Sequence, residues 1–198
     1  MSLEKIANNI FDYSNRSIAG AALLVSTPLF LICAAYWKLA HNTSCIFKQE
    51  RIGQYGIPFT LYKFKSMPDD TPLILDDVDS NKELRKAYAT PFGKILRKYS
   101  LDEIPNLFNV FKGEMALVGL RPTLEENKEK YRRERGLYRI KPGIICMTSI
   151  RNKLKRMTVE RSNNYDKIVC ENMEENPFSH SFYTFYCAIP VLVSGKNK

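Results

Sequence analysis

Hydrophobic and polar positions are unevenly distributed along this chain. From Ile18 to Trp37 no charged residue occurs, and the run reads IAGAALLVSTPLFLICAAYW. At about 20 residues it is long enough to cross a bilayer and too apolar for an ordinary surface helix. The segment ahead of it, MSLEKIANNIFDYSNR, mixes acids and bases, and no A-x-A cleavage site follows. A retained anchor is therefore expected rather than a removable leader. Pro28 sits mid-run, after Ser26 and Thr27. Proline withholds a backbone donor and kinks a helix, at a cost of about 3 kcal/mol. Ser and Thr hydroxyls satisfy carbonyls that such a kink frees. Two paths fit: a single span, straight or gently kinked, or a re-entrant helix-break-helix that enters and leaves by one face. Lys5 and Arg16 before the run, and Lys38, Lys48 and Arg51 after it, give no charge bias to choose between them.

Beyond the run the pattern shortens. FKQERIGQYGIPFTLYKFKSM reads as a hairpin, with β-prone runs flanking the turn Gly53-Gln54-Tyr55-Gly56. Residues 68–80, rich in prolines and aspartates, read as a mobile loop. Short helices are expected at about 81–88 and 92–98. A third runs from near Pro105 to Gly113, with Leu107, Phe108 and Phe111 on one face. Glu125 to Arg135 reads as a charged, solvated helix, Pro142-Gly143 as a turn, and Thr158 to Met173 as another helix. The tail SFYTFYCAIPVLV is too short to span. Phe182, Tyr183, Phe185 and Tyr186 fit either a membrane interface or a core-packed helix.

The length, 198 residues, suits one domain with a real core. The net charge of +9 favours anionic partners without choosing among nucleic acid, phosphorylated small molecules and anionic membranes. Basic residues between Lys128 and Arg161 are interleaved with glutamates and form no recognised nucleic-acid module. They fit a solvated face near anionic headgroups better, and no nucleic acid is expected as a partner. The five cysteines form no C-x-x-C pair and only two histidines occur, which argues against a zinc site. An odd number of scattered cysteines fits a reducing compartment, the cytoplasm.

Candidate chemistry concentrates in GKILRKYSLDEIPNLFNVFKGEMALVGLRP, residues 93–122. Asp102 and Glu103 are adjacent carboxylates, followed by Ile104 and Pro105, and proline favours the first helical position. The pair is expected just before, or in the first turn of, a helix, where the macrodipole stabilises negative charge and attracts a substrate phosphate. Ser100-Leu-Asp-Glu103 also matches a capping box, in which Glu103 only closes a helix. Arg97 and Arg121 flank the pair, and guanidinium groups suit bidentate phosphate contact. Lys63 and Lys65 add positive charge if the hairpin folds back. A carboxylate facing a diphosphate needs this cationic surround, plus a metal, to offset anion–anion repulsion.

These blocks resemble the bacterial sugar transferase family, the monotopic polyprenol-phosphate phosphoglycosyl transferases. The likeness runs through the apolar segment, the hairpin, TPFGKILRKYSLDEIPNLFNVFKGEMALVGLRP and YRIKPGI. The resemblance implies that Asp102 attacks the β-phosphate of a UDP-sugar to give a phosphosugar-aspartyl enzyme and UMP. It implies that Glu103, with Asp102, binds Mg²⁺, and that Arg97 and Arg121 hold phosphate. Thr27-Pro28 would occupy the family's re-entrant break. The chain departs from the family pattern at Leu120, where proline is common before Arg-Pro. It departs again after Pro142-Gly143-Ile144, where T-G-x-x-Q and then G-R-N are usual. Here Ile145-Cys146-Met147-Thr148-Ser149-Ile150 leads to Arg151-Asn152, and the usual tryptophan is missing.

The expected fold is α+β and mostly helical, with a small β-hairpin. Residues 1–40 would form a re-entrant membrane helix, and residues 41–198 a cytoplasmic catalytic domain with interfacial helices. The expected function is transfer of a sugar-1-phosphate from a UDP-sugar to undecaprenyl phosphate at the cytoplasmic face of the bacterial inner membrane. The alternative is a degenerate member that keeps the fold as a membrane-bound scaffold. Membrane lipid is an expected partner, and an oligomer stays open.

Overall fold

The computed structural model describes residues 3–71, 87–122, 139–146, 150 and 159–193. Most of the expected loop at 68–80, most of the helix at 81–88 and the charged helix at 125–135 lie outside the described residues. So do Met147, Thr148, Ser149, Arg151 and Asn152 of the departing segment.

Helix α1 spans Leu3–His41, extending well beyond the apolar run at both ends. It continues through Pro28, so the expected interruption does not end the helix. Ser26 Oγ and Thr27 Oγ1 donate to the Leu23 carbonyl, at 3.0 and 3.3 Å. The carbonyl that faces the missing Pro28 N–H belongs instead to Leu24, one residue further on. A single proline removes one bond, and packing on either side of it holds the helix. Asn15 and Ala19 are buried, and about five turns later so are Cys33 and Trp37, on the same side. The opposite side exposes Leu24, Val25, Leu31 and Leu39, at 66–87%. Among the described residues α1 is the one helix long and apolar enough to cross a membrane.

Strands β1 (Ile46–Ile52) and β2 (Pro58–Phe64) form the expected antiparallel hairpin, in register from Ile46↔Phe64 to Ile52↔Pro58. The turn at 53–56 carries Tyr55 and Gly56 at positive φ. A second, unexpected sheet pairs β3 (Ala116–Val118) with β4 (Gly143–Ile145) in parallel, extended by a bridge from Leu120 to Pro142. Pro142-Gly143 is therefore the start of a strand and not a turn. A Cβ on Gly143 would lie 2.0 Å from the Gly119 nitrogen, and one on Gly119 2.4 Å from the Lys141 oxygen. The two glycines let the backbones close to pairing distance.

Helix α2 (Pro91–Lys98) is capped by Thr90, whose hydroxyl accepts from the Gly93 N–H at 2.9 Å. A 3-10 turn at Leu101–Glu103 leads to α3 (Asn106–Lys112). Helix α4 covers Val159–Glu175, close to the expected span, and α5 covers Pro177–Val193. Asn176 caps α5 by accepting from the Ser179 N–H at 3.1 Å. The core forms several apolar clusters, and α1 enters three of them. Phe11 packs on Val118, Leu120, Val169 and Met173. Ala19 packs with Phe59, Leu61, Val110 and Met115, and Cys33 with Phe64 and Leu96. In α5, Thr184 and Ala188 are buried while Phe182, Tyr183, Phe185 and Tyr186 stay exposed. The molecule is thus α+β and mostly helical.

Candidate active site

The acidic pair lies just before a helix rather than in its first turn. Asp102 and Glu103 occupy the separate 3-10 turn, and α3 begins only at Asn106. Pro105 explains the winding. It has no N–H to return to Leu101, so the chain advances by i to i+3 bonds: Ile104 N–H to Leu101, Leu107 to Ile104 and Phe108 to Pro105. The capping box is not formed either. Ser100 sits in the left-handed region, with φ 55°, and its side chain makes no cap bond. A non-glycine residue in that conformation stores strain, which the surrounding packing sustains. Ser100 reverses the chain between α2 and the 3-10 turn, which leaves Asp102 buried, at 5% exposure.

Glu103 points to β2, where Lys63 Nζ lies 3.3 Å from its carboxylate. Both side chains are half-buried, so the pair contributes about 0–1 kcal/mol to stability and matters more for alignment. Helix α2 packs directly on the turn and carries Arg97 in its last turn. The Arg97 guanidinium rests on Met67 Sδ at 3.8 Å. Arg121 follows β3 and is exposed, with no hydrogen bond or ion pair among the described residues. Lys65 is not brought to the pair. It binds Asp69 at 2.6 Å and the Thr43 hydroxyl at 3.0 Å, while its carbonyl accepts from Trp37 Nε1. The hydrogen bond from Lys65, with a second from Thr43, holds the Asp69 carboxyl below the usual carboxylate range. Lys65 lies just past the end of β2 and turns to its own loop, so the hairpin delivers one lysine rather than two.

The buried face of α3 also differs from the expected one. Phe108 and Phe111 are exposed, whereas Asn106, Asn109 and Val110 are buried. Burying an amide is tolerable only if its groups are bonded. Asn109 Nδ2 donates to the Thr60 carbonyl at 2.6 Å and to Glu114 at 2.8 Å, and Oδ1 accepts from the Tyr62 N–H at 3.3 Å. The sequence signal was a polar residue inside the apolar stretch LFNVF.

Two adjacent carboxylates offer hard oxygen donors of the kind Mg²⁺ takes. No cluster of three or more acidic, histidine or cysteine side chains occurs among the described residues. That donor set fits a metal held by one or two carboxylates and completed by substrate phosphates and water, the usual habit of Mg²⁺.

Residues 3–178 match the model of a family described as bacterial sugar transferase. The chain is similar to the exopolysaccharide production protein ExoY of Rhizobium meliloti, with 34% identity over 67% of this chain and 64% of the relative. It is similar to the uncharacterized sugar transferase EpsL of Bacillus subtilis, with 35% identity over 75% of this chain and 70% of the relative. A third relative, the undecaprenyl-phosphate galactose phosphotransferase of Salmonella typhimurium, is 32% identical over 75% of this chain. The match spans 35% of that longer protein. A family match that takes in α1, both small sheets and the acidic turn establishes that this chain belongs to the bacterial sugar transferase family.

Proposed function

We propose that the chain transfers a sugar-1-phosphate from a UDP-sugar to undecaprenyl phosphate, through an intermediate on Asp102. The observation that carries this reading is the strained turn. With Ser100 in the left-handed conformation, one carboxylate is buried while Glu103 beside it pairs with Lys63 of the hairpin. A cap or a solvated acidic pair needs neither the strain nor the burial. The names of similar proteins, undecaprenyl-phosphate galactose phosphotransferase among them, support the same substrate classes.

In the first half-reaction an Asp102 carboxylate oxygen attacks the β-phosphorus. The bond from that phosphorus to the bridging oxygen breaks, and UMP leaves with its electrons. In the second, a phosphate oxygen of the lipid attacks the same phosphorus and releases Asp102. Neither step needs a proton from the protein, which suits a site built of carboxylates and cations. Arg97 and Arg121 would hold the phosphates. Asp102 and Glu103 would hold Mg²⁺, which when bound neutralises diphosphate charge and stabilises the leaving group.

The membrane placement proposed with it is re-entrant, at the cytoplasmic face of the inner membrane. α1 meets the rest of the chain on both sides of Pro28. Asn15 Oδ1 accepts from the Leu117 N–H and Arg16 donates to the Phe111 carbonyl, while Trp37 donates to Lys65. A straight crossing would put these flanks on opposite sides of a core about 30 Å thick. One small domain touching both flanks supports entry and exit by the same face.

The test is a burst measurement with UDP-glucose, UDP-galactose and UDP-N-acetylgalactosamine, without lipid. One of them is expected to release about one UMP per site and leave its sugar-phosphate on Asp102, with ping-pong kinetics once lipid is added. Asp102→Asn is expected to abolish both events. Full turnover by Asp102→Asn, or an adduct on another peptide, rules out the assignment. Release of no UMP by the native chain with any of the three and undecaprenyl phosphate would favour a scaffold.

A further inference from the structure

We propose that Asn109 is a positioning residue for the reaction: its amide locks α3 to the open edge of β2 and so sets Lys63 against Glu103. The inference rests on the transferase reading above but names a residue that reading does not use.

The edge geometry is specific. Among the described residues β2 pairs with β1 on one side only, so alternate residues of β2 turn their backbone groups outward. Thr60 and Tyr62 share that parity. Asn109 supplies both an acceptor for the Tyr62 N–H and a donor for the Thr60 carbonyl, as a neighbouring strand would. Its second amide hydrogen goes to Glu114, whose backbone N–H in turn bonds the Asn109 carbonyl at 2.9 Å. All three side-chain bonding positions in reach are used, and Asn109 is fully buried. An amide is the one side-chain group that offers a donor and an acceptor side by side at this spacing.

The tie sits between the two partners of the site. Lys63 is the residue after Tyr62, and Glu103 lies in the turn that leads into α3. A shift of β2 along α3 would break the Asn109 bonds and carry Lys63 away from Glu103 at once. Tyr62 and Phe108 reinforce the same register, with ring centroids 5.7 Å apart. The consequence for chemistry is that Asn109 acts through Lys63, without touching substrate.

Non-additivity separates this role from mere support of the fold. The full chain, in bilayer nanodiscs, is assayed for single-turnover UMP release with whichever UDP-sugar above is active. The variants are Asn109→Ala, Lys63→Met and the double. Each single change is expected to slow release by at least ~10-fold, the effect of losing one charge-assisted bond, with little change in KM. The double is expected to be no slower than Lys63→Met. Losses that multiply, or an Asn109→Ala chain at the native rate, overturn the proposal. If Asn109→Ala does not fold, Asn109→Ser enters the same cycle, since its hydroxyl reaches at most one of the two β2 groups. Amide exchange at Tyr62 in the unaltered chain tests the tie without any substitution: protection is expected, and exchange at the rate of an open strand edge overturns it. A native chain with no transferase activity overturns the underlying reading instead, and is told apart because the Tyr62 readout does not depend on turnover.

Discussion

At the scale of single residues, the proposed site would combine one strained backbone position with cations of different kinds. Lys63 is a point charge already aligned on Glu103, whereas Arg97 and Arg121 offer planar forks. Replacing either arginine with lysine keeps the charge and loses the fork. A charge-assisted hydrogen bond is worth about 1.5–3 kcal/mol, so kcat/KM of Arg97→Lys and Arg121→Lys is expected to fall at least ~10-fold. Native turnover in both variants, read by UMP release, would show them to be structural. Glu103→Gln gives the sharpest contrast at this scale. Glutamine is accepted at the last position of a capping box, but Ser100 forms no such box, so a severe loss and an altered Mg²⁺ dependence are expected.

At the scale of elements, α1 poses the question of what a proline does inside a long helix. Here it costs one hydrogen bond, and the helix goes on because Ala19 before it and Cys33 after it are packed into the core. The proposed re-entrant path predicts that cysteines introduced near residues 3 and 44 label from the same side of sealed vesicles. Labelling from opposite sides excludes it. Pro28→Ala is expected to shift the population toward opposite-side labelling. Native Cys170 does not confuse the readout, because burial pushes its thiol up to about 11. Legibility in the sequence follows distance along the chain. The hairpin and the acidic turn were legible, since each is contiguous and punctuated by glycine or proline. The three-residue strands β3 and β4 were not, because so short a segment carries no usable alternation and its pairing spans the chain from Ala116 to Gly143. Asn109 was hidden for a related reason: what it bonds lies 47 to 49 residues earlier, on β2. Lys63 and Lys65 were both expected to add charge if the hairpin folded back, but β2 ends at Phe64 and Lys65 pairs with Asp69 instead.

At the scale of the whole molecule, the apolar surface is not confined to α1. α5 carries no Asp, Glu, Lys or Arg from Pro177 to Val193, burial holds the His180 imidazole below its usual range, and among the side chains described Thr184 and Ala188 are buried on one stripe. A helix without a charged face is ordinarily buried in protein or lipid. Phe and Tyr together favour the headgroup boundary, where rings find both an apolar body and a wet edge. α5 also joins α1 through Phe11 and Phe178, whose rings meet edge to face at 5.2 Å. Phe182→Trp is therefore expected to be quenched by bromine carried on lipid acyl chains near the headgroups, beyond the quenching of native Trp37. Strong quenching by aqueous acrylamide with no lipid effect would show that α5 faces water.

The long reach of α1 has a consequence in time. Asn15 waits for Leu117, 102 residues later, and Asp12 for Lys141, 129 residues later. At roughly 5–20 residues per second of synthesis, α1 spends on the order of 5–26 s without these partners. During that interval a helix carrying Asp12, Asn15 and Arg16 at one end must already be held by something other than its own domain. Delaying the rest of the chain, by stalling translation between residues 60 and 110, would leave a nascent species that is seated but catalytically blank. Docking of Leu117 and Lys141 onto α1 is then a late act of assembly, which the packing of Phe178 on Phe11 follows, so α1 acquires its partners in the order in which the chain delivers them.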